Sequence, residues 1–241
     1  MLYASQHQIA PQGRKPMTLS ITASGRNINL RTLADAAGYN GTSPAAVTVT
    51  VAAGVIIGST STSTYALDTG TWPTGTTLRL IIGSGAYVVG RGGDGGYPPF
   101  TTPALSGGPA LRLRVATTII NLGTIGGGGG GGGLTIDDGT SLPGDEIVGG
   151  RSTFPFSGGG AGDLPGNYGY GGINPLGTLT TGGKGSVDIY SVYQKTGGNG
   201  GDLGMPGTVG DMPGGSAGAA ITGGAYATYA TTGTILGSIL S

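Results

Sequence analysis

The chain has 241 residues, of which 56 are glycine and only 9% are charged, and its formal net charge is zero. So few charges and a zero net charge argue against a nucleic-acid binder, which needs a basic patch to neutralise phosphates. The absence of cysteine removes disulfides and thiolate metal sites.

Residues 1–25 are expected to form an extended arm, because Pro11, Gly13 and Pro16 break any helix. The arm lacks a basic start followed by an apolar stretch, so it does not read as a secretory signal. Its single histidine, His7, has no evident ligand partners. A short helix is predicted over Leu30 to Ala37, capped by Asn29 and stopped by Gly38, with Leu30, Leu33, Ala34 and Ala37 on one face. In AAVTVTVAAGVIIGS, Val47, Val49 and Val51 alternate with Thr48 and Thr50, the pattern of a half-buried strand. Leu78 and Leu80 alternate with Thr77 and Arg79 in the same way. Residues 26–90 therefore read as a small β-rich N-terminal domain with one short helix.

From residue 91 to 241 the expected architecture changes to a glycine-rich domain. GGPALRLRVATTIINLGTI reads as one strand-like element that runs into eight consecutive glycines, Gly126, Gly127, Gly128, Gly129, Gly130, Gly131, Gly132 and Gly133. Later bursts include SGGGAG, GNYGYGG, TGGKG and TGGNGGDLGMPGTVG, and the chain ends in the β-favouring AYATYATTGTILGSILS. Glycine recurs every third residue at 90, 93 and 96, and at 198, 201, 204, 207 and 210. Three residues per turn is the repeat of the polyproline II helix, which has no internal hydrogen bonds. Buried backbone groups must be paired, so such helices persist inside a protein only by bonding to each other. Glycine alone permits that approach.

The expected fold class is thus mainly β and irregular, with a sandwich of packed polyglycine-II-type helices carrying loop inserts. The octaglycine would be the central helix, about 25 Å long at about 3.1 Å per residue. Arg91 and Asp94 would lie on an exposed row. A flexible linker fits less well, since the bursts recur between apolar segments. The G-x-y register is too short for collagen, and no phosphate-loop signature is present.

YVVGRGGDGG, followed by GGPALRLRVATTIINLGTIGGGGGGGG, resembles the glycine-rich tip domain of tailed-bacteriophage tail fibre proteins and receptor-recognising adhesins. NLRTLADAAGYNG with VTVTVAAGVIIGS is similar to the segment that precedes such tips. The resemblance implies a rigid scaffold of three-fold glycine helices whose loops bind a bacterial outer-membrane protein or glycan. It implies a location on the virion tail, with a tail fibre or tail-tip protein and a host outer-membrane receptor as partners. A homotrimer is left open, because no heptad pattern specifies the oligomer.

Binding loops sit on rigid scaffolds, and aromatics serve as anchors. The expected receptor-binding residues are therefore the aromatics of the inserts: Tyr97 and Phe100, Phe154 and Phe156, Tyr168 and Tyr170, Tyr190 and Tyr193. No catalytic residue, cofactor or metal is assigned. One histidine and no cysteine poorly support Ser-His or Cys-His catalysis. Asp137, Asp138, Asp145 and Glu146 could in principle serve a glycosidase or bind a cation, but acidic residues in a turn-rich loop are ordinarily solvated. Two alternatives stand beside the adhesin: a purely structural tail-tip or baseplate component, and a glycan-degrading enzyme.

Overall fold

Parallel pairing dominates the computed structural model, which describes residues 14–96, 103–134, 157–167, 177–186 and 196–241. Among these described residues, fifteen strands form three five-stranded sheets. The first sheet holds β1 (Lys15–Ile21), β4 (Ala45–Val51), β7 (Thr77–Ile82), β10 (Thr117–Asn121) and β13 (Ala227–Thr231) in that order. The second holds β2 (Gly25–Arg26), β5 (Ile56–Gly58), β8 (Tyr87–Val89), β11 (Thr124–Gly126) and β14 (Thr234–Leu236). The third holds β3 (Ile28–Asn29), β6 (Leu67–Asp68), β9 (Leu111–Arg112), β12 (Ile221–Thr222) and β15 (Ile239–Leu240). Each successive trio of strands is one coil of a three-sided solenoid. The chain visits the three sheets in turn and then starts the next coil above the last.

Alternation decides which side chains fill the solenoid. Val47, Val49 and Val51 are buried, while Thr48 and Thr50 are only partly covered. Leu78, Leu80 and Ile82 repeat this in β7, with Arg79 pointing to solvent. In-register pairing stacks equivalent residues into columns. Leu19, Val49, Leu80 and Ile119 form one such column, and Gly25, Ile57, Val88 and Ile125 another. All of these except the half-buried Gly25 belong to one apolar core that runs through the solenoid.

The helix α1 (Leu30–Ala36) follows β3 directly. The Asn29 side chain accepts from the backbone N–H groups of Arg31 and Thr32, as its N-cap role requires. Gly38 follows the helix with φ of 90°, a conformation that favours glycine. Leu30 and Ala34 are buried, but Leu33 and Ala37 are exposed. The apolar stripe is narrower than its sequence suggests, because only one edge of this two-turn helix meets the core.

GGPALRLRVATTIINLGTI is not one strand. It turns two corners and supplies β9, β10 and β11 to three different sheets. Asn121 makes the second corner possible. Its buried side chain accepts from the Gly123 N–H and donates to the carbonyls of Thr232 and Thr234. Strand pairing also continues beyond residue 90, through 111–126 and 221–240, and begins at Lys15. The glycine-rich stretches 90–110 and 127–220 are insertions between the second and third sheets, in the third and fourth coils.

Candidate functional site

Every residue from Gly126 to Gly133 is buried. The N–H groups of Gly128 and Gly131 donate to Gly108 and Leu105, those of Gly129 and Gly132 to Ala161 and Gly158, and those of Gly130 and Gly133 to Met205 and Thr208. The carbonyls of Gly126, Gly129 and Gly132 accept from Gly90, Gly93 and Gly96. Those of Gly127, Gly130 and Gly133 accept from Gly204, Gly201 and Gly198, and those of Gly128 and Gly131 from Gly218 and Gly215. These bonds are 2.7 to 3.1 Å long and repeat every three residues. One segment is therefore surrounded by six.

The six also bond to each other. Gly108 donates to Arg91, Gly107 to Ser216, Gly207 to Gly215, Thr208 to Asn199, Gly158 to Gly198, and Gly160 to Gly93, which closes the ring. Side chains have no room at the centre. A Cβ on Gly127 would overlap the carbonyl oxygen of Gly218, on Gly129 that of Gly201, on Gly130 that of Gly215, and on Gly132 that of Gly198. None of Gly126 to Gly133 has positive φ. The run is thus required by close approach of backbones, not by an unusual backbone conformation.

The flanking bursts obey the same logic with one change. Gly92 and Gly95 donate to Leu164 and Asn167 in a further outer segment. Arg91 and Asp94 face the boundary between segments, half-buried, with Arg91 Nη2 3.3 Å from Asp94 Oδ1. Asp94 Oδ1 also accepts from the Asn167 N–H. The expectation of an exposed row is corrected here, since the neighbouring outer segment covers part of it. The run at 198–210 is not continuous either. It turns at Gly204, whose φ is 71°, so that 198–204 and 205–210 are separate neighbours of the central segment.

Register then locates the connections. Gly90, Gly126 and Gly127 lie at the solenoid end, bonded among themselves and to Leu236 and Gly204. Gly96, Gly132, Gly133, Gly158, Gly198 and Thr208 lie together at the other end. The residues that flank 97–102, 135–156 and 187–195 are at this distal end, and 168–176 departs from it at Asn167. The turn 209–213 is there too, with Met212 N–H donating to Leu134 and Val209 69% exposed.

Tyr97, Phe100, Phe154, Phe156, Tyr168, Tyr170, Tyr190 and Tyr193 all lie outside the described residues, as do His7, Asp137, Asp138, Asp145 and Glu146. What the described residues establish is where their segments begin and end. The exposed Val209 is not singled out by the sequence, because a lone valine in a glycine-proline turn carries no signal.

An open groove of about 290 Å³ lies elsewhere, on the solenoid, lined by Asn27, Tyr65, Asp68 and Arg112 among others. Asn27 bonds to Thr60, and Asp68 accepts from Gly70 and Arg114. Arg112 covers the Tyr65 ring at 5.2 Å. These groups satisfy one another, so the groove is a packed corner with no donor set aimed outward.

A family model described as phage tail fibre adhesin Gp38 matches residues 16–240. No curated protein matches the chain. Among solved structures, the chain is similar to one from the gp37–gp38 adhesin tip complex of the bacteriophage S16 long tail fibre. That similarity has 24% identity and a TM-score of 0.63, and covers 94% of this chain and 82% of the other. The chain belongs to the phage tail fibre adhesin Gp38 family.

Proposed function

We propose that this adhesin holds a tail fibre through its solenoid and recognises a host surface receptor through the distal loops of its glycine insert. The insert is read as a polyglycine-II sandwich. The three-residue repeat of backbone bonds and the ring of six around one support that reading. The partner is a tail fibre protein, by analogy with the S16 complex, and the working location is the virion tail facing the bacterial outer membrane. The receptor is an outer-membrane protein or a surface glycan, and recognition proceeds without catalysis.

The observation that carries the proposal is the gathering of segment ends at the distal face. Segments 97–102, 135–156 and 187–195 are anchored there at both ends and 168–176 at one end, and together they hold all eight aromatic candidates. A backbone-bonded scaffold keeps those anchors fixed, which lowers the ordering cost of binding. The test is saturable binding of the purified protein to host cells, compared with a version in which these four segments are replaced by Gly-Ser. Loss of binding with an unchanged melting temperature supports the proposal. Undiminished binding by the replaced version rejects it.

A further inference from the structure

The sequence holds two Asn-Gly pairs, Asn40–Gly41 and Asn199–Gly200. Such a pair can react with itself. The glycine amide nitrogen attacks the asparagine Cγ, and glycine has no Cβ to obstruct the approach. In a folded chain the reaction needs that nitrogen free and the side-chain carbonyl activated, so the fold decides which pair is labile. Both asparagines are exposed, and exposure does not separate them.

At the second pair, the Gly200 N–H donates to the Gly183 carbonyl at 2.8 Å, and a Cβ on Gly200 would overlap the Gly159 carbonyl oxygen. Asn199 is held as well. Its N–H donates to Thr208 Oγ1, its carbonyl accepts from the Thr208 N–H, and its Oδ1 accepts from the Gly185 N–H. Nitrogen and Cγ cannot meet there unless the glycine insert opens.

The first pair lies in the loop between α1 and β4 and is arranged differently. Among the described residues, nothing accepts from the Gly41 N–H. The Thr42 N–H donates to Asn40 Oδ1 at 3.3 Å. That puts a donor on the oxygen that gains charge when Cγ is attacked. Arg31 places Nε on Asp35 and Nη1 on the Thr71 carbonyl, and its Nη2 lies against Gly41, where a Cβ would overlap it. A cation at that position favours loss of the proton from the Gly41 nitrogen. Tyr39 is buried, and its hydroxyl donates to the Ser43 carbonyl, which closes the loop around Asn40.

We infer that Asn40 is a site of spontaneous deamidation and that the glycine insert protects Asn199. The Gly41 nitrogen gives up its proton to solvent and bonds to Asn40 Cγ. The Cγ–Nδ2 bond breaks, and the side-chain nitrogen takes up a proton and leaves as ammonia. Water then opens the succinimide. Opening at Cγ gives aspartate. Opening at the backbone carbonyl carbon gives isoaspartate, whose main chain is longer by one methylene. Either product adds a negative charge to a chain whose formal net charge is zero. The isoaspartate also stretches the loop that Tyr39 closes, beside the stack in which the Tyr39 ring lies 4.9 Å from the Arg31 guanidinium and 5.1 Å from Trp72. A chain that is not replaced after synthesis accumulates the change with age.

The test ages the purified full-length protein in mildly alkaline buffer, native and in urea, and follows both pairs by peptide mass spectrometry. In urea the two pairs should react at similar rates, since only the local dipeptide matters. In the native protein Asn40 is expected to react at least about tenfold faster than Asn199, because Gly200 must first lose a buried backbone bond. Isoaspartyl methyltransferase should label the aged native protein at residue 40. Asn40→Ser, at an exposed loop position, should keep the melting temperature and abolish both the labelling and the acidic species seen on isoelectric focusing. A native rate at Asn40 equal to or below that at Asn199 overturns the inference. So does an acidic species that accumulates in Asn40→Ser at the wild-type rate.

Discussion

Replacing Gly130 with alanine tests why the octaglycine exists. The added Cβ would overlap the Gly215 carbonyl, with Ser216 O also only 2.8 Å away, both of them backbone atoms that cannot rotate aside. Relief requires the 213–218 segment to move outward or the central segment to move back. Either shift lengthens several of the bonds Gly130–Met205, Gly201–Gly130, Gly215–Gly131 and Gly207–Gly215. Each weakened backbone bond costs about 0.5–1.5 kcal/mol, more if a buried group is left unpaired. Disturbing three of them gives a loss of about 1.5–4.5 kcal/mol. For a chain of this size that is a fall in melting temperature of about 3–18 °C, at about 2–4 °C per kcal/mol. Gly126→Ala is the internal comparison. Its Cβ would meet only the Leu203 side chain, at 3.2 Å, and a flexible side chain can yield. It should cost less than about 1 kcal/mol. Calorimetric melts of the two variants decide the matter. A free linker would instead be unaffected or slightly stabilised by alanine at both positions, so equal melting temperatures would refute the packed-backbone account.

Three further outcomes are expected. Asn29→Ala removes the acceptor for two helix N–H groups and should lower stability by about 1 kcal/mol in urea unfolding. Tyr229 has a buried hydroxyl with no hydrogen-bond partner among the described residues, and burial raises its pKa above the ordinary value. A raised folded pKa contributes stability that is fully present below the unfolded value near 10 and is lost as the pH rises through the folded one. Tyr229→Phe should therefore be neutral or stabilising at pH 7 and should flatten the loss of stability above about pH 10. The Arg26–Asp163 pair ties β2 to the glycine insert, but Arg26 is well exposed. A double-mutant cycle should give a coupling below about 1 kcal/mol that shrinks with added salt.

Much of the local structure was legible in the residues. Val47, Val49 and Val51 declared a strand and its buried face, Asn29 declared a cap, and the glycine spacing at 90, 93 and 96 marked the row that donates to Gly126, Gly129 and Gly132. The expected strand-like element over 107–125 is broken because its first bend, between β9 and β10, carries no glycine or proline to announce it, and Gly123 at the second is one glycine among many. The second corner depends on Asn121 reaching carbonyls more than a hundred residues away. The apolar tail at 225–241 was likewise legible as β-favouring, but its membership in the last coil was not. The same holds for the pairing of β12 with β9 and of β13 with β10, across a 94-residue insertion between β11 and β12.

The sequence by itself determined two things: where side chains are forbidden and where they alternate. Both are local, since a missing Cβ and a two-residue period act within one segment. Only the tertiary structure decided which segments meet. Glycine-rich segments carry no side chains with which to select their partners, so the order of six around one follows from how the connections and the solenoid bring their backbones into bonding register. That same arrangement places the loop anchors at one face, which cannot be read from composition or period.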